Sequence, residues 1–510
     1  MKKSSDFLHQ LIHSLSKSEK RYFKLHATRH VLGEKNKYLN LFEAIEKQNS
    51  PDDEALMTRL KNLKSKPHLS TAKNYLKGML LDSIDEFHRS TSAEEKIKKQ
   101  IHQGRLLCQR GFVAEGKSLL QKAKAQVISQ EKYHLLFELQ YWIYGSIKTD
   151  LPHEEEQKRL YDESKQNLRV IDEIVELRYL NLRMFSLYAK LSSMPYDDVK
   201  KTTEKLMSHP LLQNPDAGLL LKSKLDLHEL KSLGYSMLGR RAESTEHLRR
   251  IIQLLESQPH RMNDFANVYS ASLINFLVNC FHLKHYEELE TGLEKLHGLP
   301  DLPAFKNVAK PCAVFRHVSS LKYALYWRRG DFEKGLKLNE EVIPRLESCN
   351  EKLSRYDRVQ LVHMMCCFFF ANGKMSEALK WNLELVQAKY FDKAMGELNF
   401  ARLIHILIHY ELGNYELLDS LLKSTERHYK NQEAELEFEI IVVKLMKKVL
   451  SAVDISDRKF AFKKMRAELL PLKSLENVKE GFPWFSVIPW LDSKIEDVTF
   501  IEAARKRISG

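Results

Sequence analysis

The chain has 510 residues, of which 29% are charged and 43% hydrophobic, and its formal net charge is +13. This composition is typical of a folded globular protein and excludes an intrinsically disordered or a collagen-like chain. Because a single hydrophobic core seldom grows to this length, we expect either several domains or an array of repeats.

Residues 1–95 are predicted to form a small helical domain with a basic surface. Apolar residues recur there at helical spacing around Leu8, Leu41 and Leu76. Residues 1–110 hold 22 Lys and Arg against 13 Asp and Glu, which supplies +9 of the net charge. A basic segment of this kind is either a solvated helical surface or a binding surface for nucleic acid or an acidic partner. We favour the solvated surface, since no RNA-binding motif accompanies the charge.

The segment from residue 96 to residue 475 repeats a helix–turn–helix pattern. From Gly239 onward its turns recur every 40 to 46 residues. This length accommodates two antiparallel helices of about 18 residues with two short loops. The pattern predicts an all-α fold, namely a superhelical solenoid of paired antiparallel helices that follows the small N-terminal helical domain. The predicted turns lie at these positions: Gly111, Thr149–Asp150, Met194–Pro195, Gly239, Lys284, Gly330, Gly373 and Gly413.

Two local expectations follow from this register. After the turn at Gly330, Asp331 is expected to cap the second helix of its pair. In the next pair, the apolar stripe of the second helix is expected to bury Leu379, Leu383 and Val386.

The units resemble tetratricopeptide repeats, in a variant with long helices. Those repeats carry a small residue seven positions before the turn and another five positions after it. The sequence departs from this pattern at Tyr323, so the resemblance implies the fold but not the details of peptide binding. The small residues that match this pattern around two of the turns are Gly104 and Gly116, and Ser232 and Ser244.

The stretch 15–24 also resembles the start of uncharacterised helical-repeat proteins from Bacteroidetes-type bacteria.

Residues 476–510 are predicted to be a C-terminal capping segment. The repeat pattern ends there, and Gly481–Trp490 holds two of the five tryptophans of the chain. Because the open end of a solenoid exposes apolar surface, a segment that closes the last repeat is preferred over a helix that docks a partner.

The cysteines and the apolar runs both indicate a cytoplasmic protein. The six cysteines lack the spacing of a metal site or a disulfide framework, so we expect buried free thiols in a reducing compartment. Adjacent Cys366 and Cys367 point in different directions on a helix and are not expected to bridge. No apolar run reaches the roughly 18 residues that span a bilayer, and residues 7–13 are too polar for a signal sequence.

One stretch matches a phosphate-binding loop formally. Gly111–Ser118 fits the pattern G-x-x-x-x-G-K-S, but the chemistry requires a strand before the loop and a metal-binding Asp after a later strand. Here the preceding residues are helical, and the repeat register explains Gly111 as a helix stop and Gly116 as a packing position. We therefore expect no nucleotide site.

Histidines spaced four apart could place two imidazoles on one helix face, as a zinc site requires. No third ligand is spaced to join any of the pairs, so no metal, cofactor or catalytic constellation is predicted and the protein is not expected to be an enzyme. The pairs are His9 and His13, His26 and His30, and His405 and His409.

The predicted function is a scaffold or adaptor that binds a protein or peptide in the concave groove of the repeats. The alternative is a regulator whose basic N-terminal domain binds nucleic acid while the repeats sense a partner. In a solenoid of this type the first helices line the groove, which predicts the following groove residues: Asn275, His282, His317, Trp327, Arg328, Gln360, His363 and Tyr410.

Overall fold

The structure is a computed structural model of the chain. It describes residues 4–29, 37–60, 65–91, 93–146, 154–191, 194–214, 218–306, 308, 310–388, 395–431, 437–452, 454–472 and 486–509. Every regular element within these ranges is helical, which confirms the predicted all-α fold. Among these helices, none combines the length and the apolar character that crossing a bilayer requires.

The chain divides into two compact units, and the first comprises Met1–Arg178 and Gly218–Ser223. One apolar core around Phe23 and Phe42 joins its first five helices, and a second core around Leu120 and Leu136 joins the next three. The helices are α1 (Ser4–Ser14), α2 (Lys17–Arg29), α3 (Lys37–Glu46), α4 (Asp53–Arg59), α5 (Lys66–Thr91), α6 (Ala93–Gln109), α7 (Val113–Ser129), α8 (Tyr133–Ser146) and α9 (Glu154–Tyr188), of which α9 continues into the second unit.

The second unit comprises Tyr179–Ala217 and Lys224–Gly510, and most of it is an α-solenoid. The helices are α10 (Tyr196–Met207), α11 (Pro210–Gln213), α12 (Leu221–Met237), α13 (Arg241–Glu256), α14 (Met262–His282), α15 (Tyr286–Gly298), α16 (Pro311–Arg329), α17 (Phe332–Ser348), α18 (Arg355–Ala371), α19 (Met375–Gln387), α20 (Met395–Glu411), α21 (Tyr415–Lys430), α22 (Glu437–Leu450), α23 (Ile455–Leu469), α24 (Val487–Glu496) and α25 (Phe500–Ser509). From α13 to α25 each helix packs against the next, and the first helices α14, α16, α18, α20 and α22 also contact one another in series.

One turn geometry closes six of the helix pairs. The turn residue lies in the left-handed region, and the next residue donates its backbone N–H to the carbonyl five positions earlier, as in a Schellman motif. At Gly330 φ is +74° and Asp331 N donates to Tyr326 O at 2.8 Å. Left-handed φ recurs at the predicted turn positions Gly111, Gly239, Lys284, Gly373 and Gly413, whereas Thr149–Asp150 lies outside the described residues.

Asp331 does not cap its helix through its side chain, so that expectation was wrong. It holds the N-cap position, but its side chain accepts a hydrogen bond from Lys334 Nζ at 2.9 Å instead of one from the helix backbone. The Schellman turn fixes φ and ψ at this position to −83° and 55°, away from the extended conformation in which a side chain caps.

The small residues of the repeat pattern mark close contacts between helices. A Cβ added at Gly116 would lie 2.9 Å from Gly104 O, so α6 and α7 approach too closely for side chains there. At the equivalent places around Gly239, the buried hydroxyls of Ser232 and Ser244 lie 3.0 Å apart. Small residues at these spacings therefore act as predicted.

The buried face of α19 differs from the predicted one. The helix buries Ala378, Trp381 and Leu385, whereas Leu383 is 38% exposed. The predicted stripe is rotated by about one residue, because α18 and α20 cover α19 from both sides and their positions decide which face is enclosed.

Cys312 and Cys349 form a disulfide with a Cα–Cα distance of 5.7 Å, so the prediction of free thiols was wrong for this pair. Cys312 lies at the start of α16 and Cys349 directly follows α17. An antiparallel pair brings these two ends together, across 37 residues of sequence. Cys366 and Cys367 are free and buried, as predicted. The disulfide weakens the argument for a reducing compartment.

The C-terminal helices pack against repeats that lie far earlier in the sequence. Arg505 Nε donates to the carbonyl of Gly330 at 3.0 Å, and the ring of Phe500 contacts Trp327 with centroids 6.2 Å apart. Trp490 Nε1 donates to Glu411 Oε1 at 2.6 Å. Residues 476–485 and 510 of the predicted capping segment lie outside the described residues. The predicted domain boundaries near residues 95 and 475 stay predictions.

Candidate functional site

A cleft of about 950 Å³ lies between α7, α8 and α9 of the first unit. The apolar side chains of Ile143 and Leu160 contribute to its lining. Charged and amide side chains from α7 and α9 form the rest of its wall: Lys117, Gln121, Lys124, Glu155, Lys158, Arg159, Asp162, Glu163 and Gln166. This size is within the range of sites that bind small ligands.

The cleft wall carries charges of both signs. Lys124 Nζ lies 2.6 Å from Glu163 Oε1, and this ion pair joins α7 to α9. The other cations of the wall, Lys117, Lys158 and Arg159, line the same cleft as the carboxylates of Glu155 and Asp162. A partner with both an acidic group and a hydrogen-bond donor therefore finds complementary groups in the same cleft.

The match to a phosphate-binding loop does not form such a loop. Gly111 follows helix α6, and Gly116, Lys117 and Ser118 lie inside helix α7. Backbone amides inside a helix bond to carbonyls of the same helix and cannot surround a phosphate. Lys117 nevertheless lines the cleft, so the motif contains one residue of the candidate site for a reason unrelated to the pattern.

The eight predicted groove residues do not share one exposed surface. Asn275 and Arg328 are exposed, whereas His282, His317 and Trp327 are half-buried. Gln360, His363 and Tyr410 are buried and would need to be uncovered before a partner could touch them. That these residues bind a partner stays a prediction.

Contacts with neighbouring side chains explain the burial of Gln360 and Tyr410. Gln360 Nε2 donates to Tyr356 Oη at 2.7 Å, and Tyr410 packs edge-on against the ring of Trp490 at 5.6 Å. Trp490 comes from a C-terminal helix that is distant in sequence, so its contact could not be inferred from the repeat register.

The spaced histidine pairs serve local packing. His9 Nε2 contacts Gln48 O at 2.9 Å, and His26 Nε2 pairs with Glu86 at 3.2 Å. His405 Nδ1 contacts Asn382 Oδ1 at 2.9 Å. His30 lies outside the described residues. Three of these side chains therefore bond to separate polar groups rather than converge on one point.

Burial lowers the pKa of two predicted groove histidines. The pKa of His317 falls to about 4, because its ring is desolvated and the charge of Arg316 lies nearby. The pKa of His363 also falls to about 4, through desolvation alone. Both imidazoles are therefore neutral in the folded protein at neutral pH.

No family model matches the sequence, and no curated protein matches it. Among solved structures, the chain is similar to NprR, crystallised in complex with its cognate peptide NprX. The two are 14% identical over 68% of this chain and 94% of the NprR chain, with a TM-score of 0.32. At this level of similarity the helical-repeat architecture rests on the helices and turns of the chain itself.

Acidification should destabilise the fold through His317 and His363, the two predicted groove histidines whose pKa is lowered. In the unfolded chain a histidine takes up its proton near pH 6.5, whereas His317 and His363 resist protonation down to about pH 4. Between these values the unfolded chain binds more protons, so stability is complete above about pH 6.5 and decreases as the pH falls towards 4.

The measurement is the apparent melting temperature from pH 7.5 to 4.5, for the wild type and for a His317→Gln, His363→Gln variant. The variant should show a smaller decrease across this range, whatever its melting temperature at neutral pH. If the melting temperatures of the two proteins fall by the same amount with pH, the pKa values of His317 and His363 are not lowered by folding.

Proposed function

We propose that this chain is a non-enzymatic binding protein that receives a protein or peptide segment in the cleft between α7, α8 and α9. The observation that supports this function is the cleft itself, which is lined by residues of three helices, with charges of both signs and the apolar side chains of Ile143 and Leu160. Helical-repeat arrays present such surfaces on a rigid scaffold, so a partner is bound without folding of the site.

The chemistry of the wall suggests the character of the segment. Lys117 and Lys158 suit a carboxylate of the partner, and Ile143 with Leu160 suits one apolar side chain. Glu155 and Asp162 suit an amide or a basic group. We therefore propose a segment that carries an acidic residue next to an apolar one, bound through a few contacts rather than through a long interface.

The alternative, a nucleic-acid-binding regulator, is supported by the charge of the N-terminal segment. Several of its lysines, however, already contact carboxylates: Lys20 pairs with Glu46 at 3.1 Å, and Lys24 with Glu43 at 3.6 Å. Such pairs reduce the charge that remains for phosphates. A gel-shift assay of the full chain at two salt concentrations tests this function, and the absence of salt-dependent binding would rule it out.

The cleft is tested with random peptides displayed on phage and selected against the full chain. Affinities of the selected peptides are then measured by fluorescence polarisation. A Lys117→Glu, Lys158→Glu variant should bind them at least about tenfold more weakly, which corresponds to roughly 1.4 kcal/mol. The reason is that the two reversed charges repel the acidic residue of the segment.

The matched control is Lys122→Glu, which reverses a charge on the exposed surface of α7 outside the cleft. This variant should bind the selected peptides as the wild type does. The proposal fails if no peptide is enriched, or if the cleft variant and the control bind equally well.

A further inference from the structure

Three side chains of different ligand types meet at the turn between α14 and α15. One ligand atom from each of Cys280, His285 and Glu288 lies within 4.8 Å of the other two. Within the described ranges, this is the one group of three cysteine, histidine or acidic residues that is close enough to hold a metal ion. It belongs neither to the cleft nor to the spaced histidine pairs.

The backbone of the turn fixes the spacing of the three residues. His285 N donates to Cys280 O at 2.9 Å, and Lys284 between them adopts a left-handed φ of +62°. His285 then stands at the N-cap of α15, and Glu288 lies in the first turn of that helix. The same Schellman geometry that closes the other repeats therefore presents thiol, imidazole and carboxylate to one point.

The environment gives one buried ligand and two accessible ones. Cys280 is fully buried, whereas His285 and Glu288 are exposed, so an ion could enter from solvent. Cys280 Sγ lies 3.9 Å from Glu288 Oε2.

A neighbouring helix already holds the carboxylate. Arg249 Nη2 contacts both oxygens of Glu288, at 2.9 and 3.3 Å, and Arg249 Nη1 contacts Glu246 at 2.6 Å. Such a partner behind a ligand orients it and preserves its negative charge, as outer groups do in metal sites. If an ion takes one carboxylate oxygen, Arg249 can keep the other oxygen and Glu246.

We propose that Cys280, His285 and Glu288 form a Zn²⁺ site whose fourth position is open to solvent. Thiolate and imidazole ligands favour Zn²⁺ over Ca²⁺ and Mg²⁺, which prefer oxygen. Zinc bonds of about 2.0 to 2.3 Å require the ligand atoms to close by roughly 1 Å from their present separation. The two exposed side chains can make this movement without a change in the backbone.

When the ion binds, Cys280 loses one proton. The S–H bond of Cys280 breaks, a sulfur–zinc bond forms, and the proton passes to solvent. The neutral imidazole of His285 contributes a nitrogen lone pair, and Glu288 binds as the carboxylate. The charges of the thiolate and the carboxylate together match the charge of the ion.

The test uses the full-length protein with Co²⁺ as a spectroscopic substitute for Zn²⁺. The wild type should give a near-ultraviolet thiolate-to-cobalt absorption band that Zn²⁺ abolishes, and Cys280→Ser should remove the band. The dissociation constant for Zn²⁺, measured by competition with a chelating dye, should rise in His285→Ala. The rise should exceed the roughly 10–100-fold that loss of an outer-shell partner causes.

Matched controls lie on the same helix. His297→Ala removes another exposed histidine of α15, and Glu287→Gln removes the carboxylate next to Glu288. Both controls should bind Zn²⁺ as the wild type does, while Glu288→Gln should bind it more weakly. Because His285 and Glu288 are exposed, their variants should fold even if Cys280→Ser does not, which circular dichroism will show.

Several outcomes would overturn the proposal. One is the absence of the cobalt band in the wild type, and another is a band that persists in a folded Cys280→Ser protein. Zinc affinity that is equal in His285→Ala and His297→Ala would show that the ion binds elsewhere on this histidine-rich chain.

Discussion

Six of the helix pairs depend on one backbone conformation, the left-handed residue that ends the first helix of the pair. This residue lets the next N–H reach back to the carbonyl five positions earlier, for example from Asp331 to Tyr326 at 2.8 Å. The chain thereby reverses within three residues, and the two helices of a pair meet along their apolar faces. Small residues beyond the turn, such as Gly116, then allow the helices to approach closely.

Much of this fold could be predicted because glycine at a turn is a local signal. Gly330 and Gly373 mark their turns. The turn at Lys284, which has no glycine, was predicted from its distance to the turns before and after it. The turn at Glu131, with φ of +54°, was missed because neither glycine nor a regular step points to it. The disulfide between Cys312 and Cys349 was missed as well, although a separation of two helix lengths could have suggested it.

The candidate sites were less accessible to sequence reasoning, because their residues meet only in the folded chain. Lys124 and Glu163 face each other from two helices, and no motif joins them. Cys280 and Glu288 belong to different helices on either side of a turn. For the predicted groove residues, the repeat register gives the helix on which each residue lies but not the side chains that cover it. Phe500 packs against Trp327 and Trp490 packs against Tyr410, and both come from C-terminal helices that are distant in sequence.

The most direct test of the turn exchanges residues between two equivalent positions. Lys284 and Gly373 both have left-handed φ, at +62° and +71°, and an added Cβ at Gly373 would meet no atom within 4 Å. Lys284→Gly should raise the apparent melting temperature and Gly373→Lys should lower it, since a left-handed L-residue costs roughly 1–2 kcal/mol. Shifts of the same sign, or no shift in either variant, would contradict the dependence of the fold on this conformation.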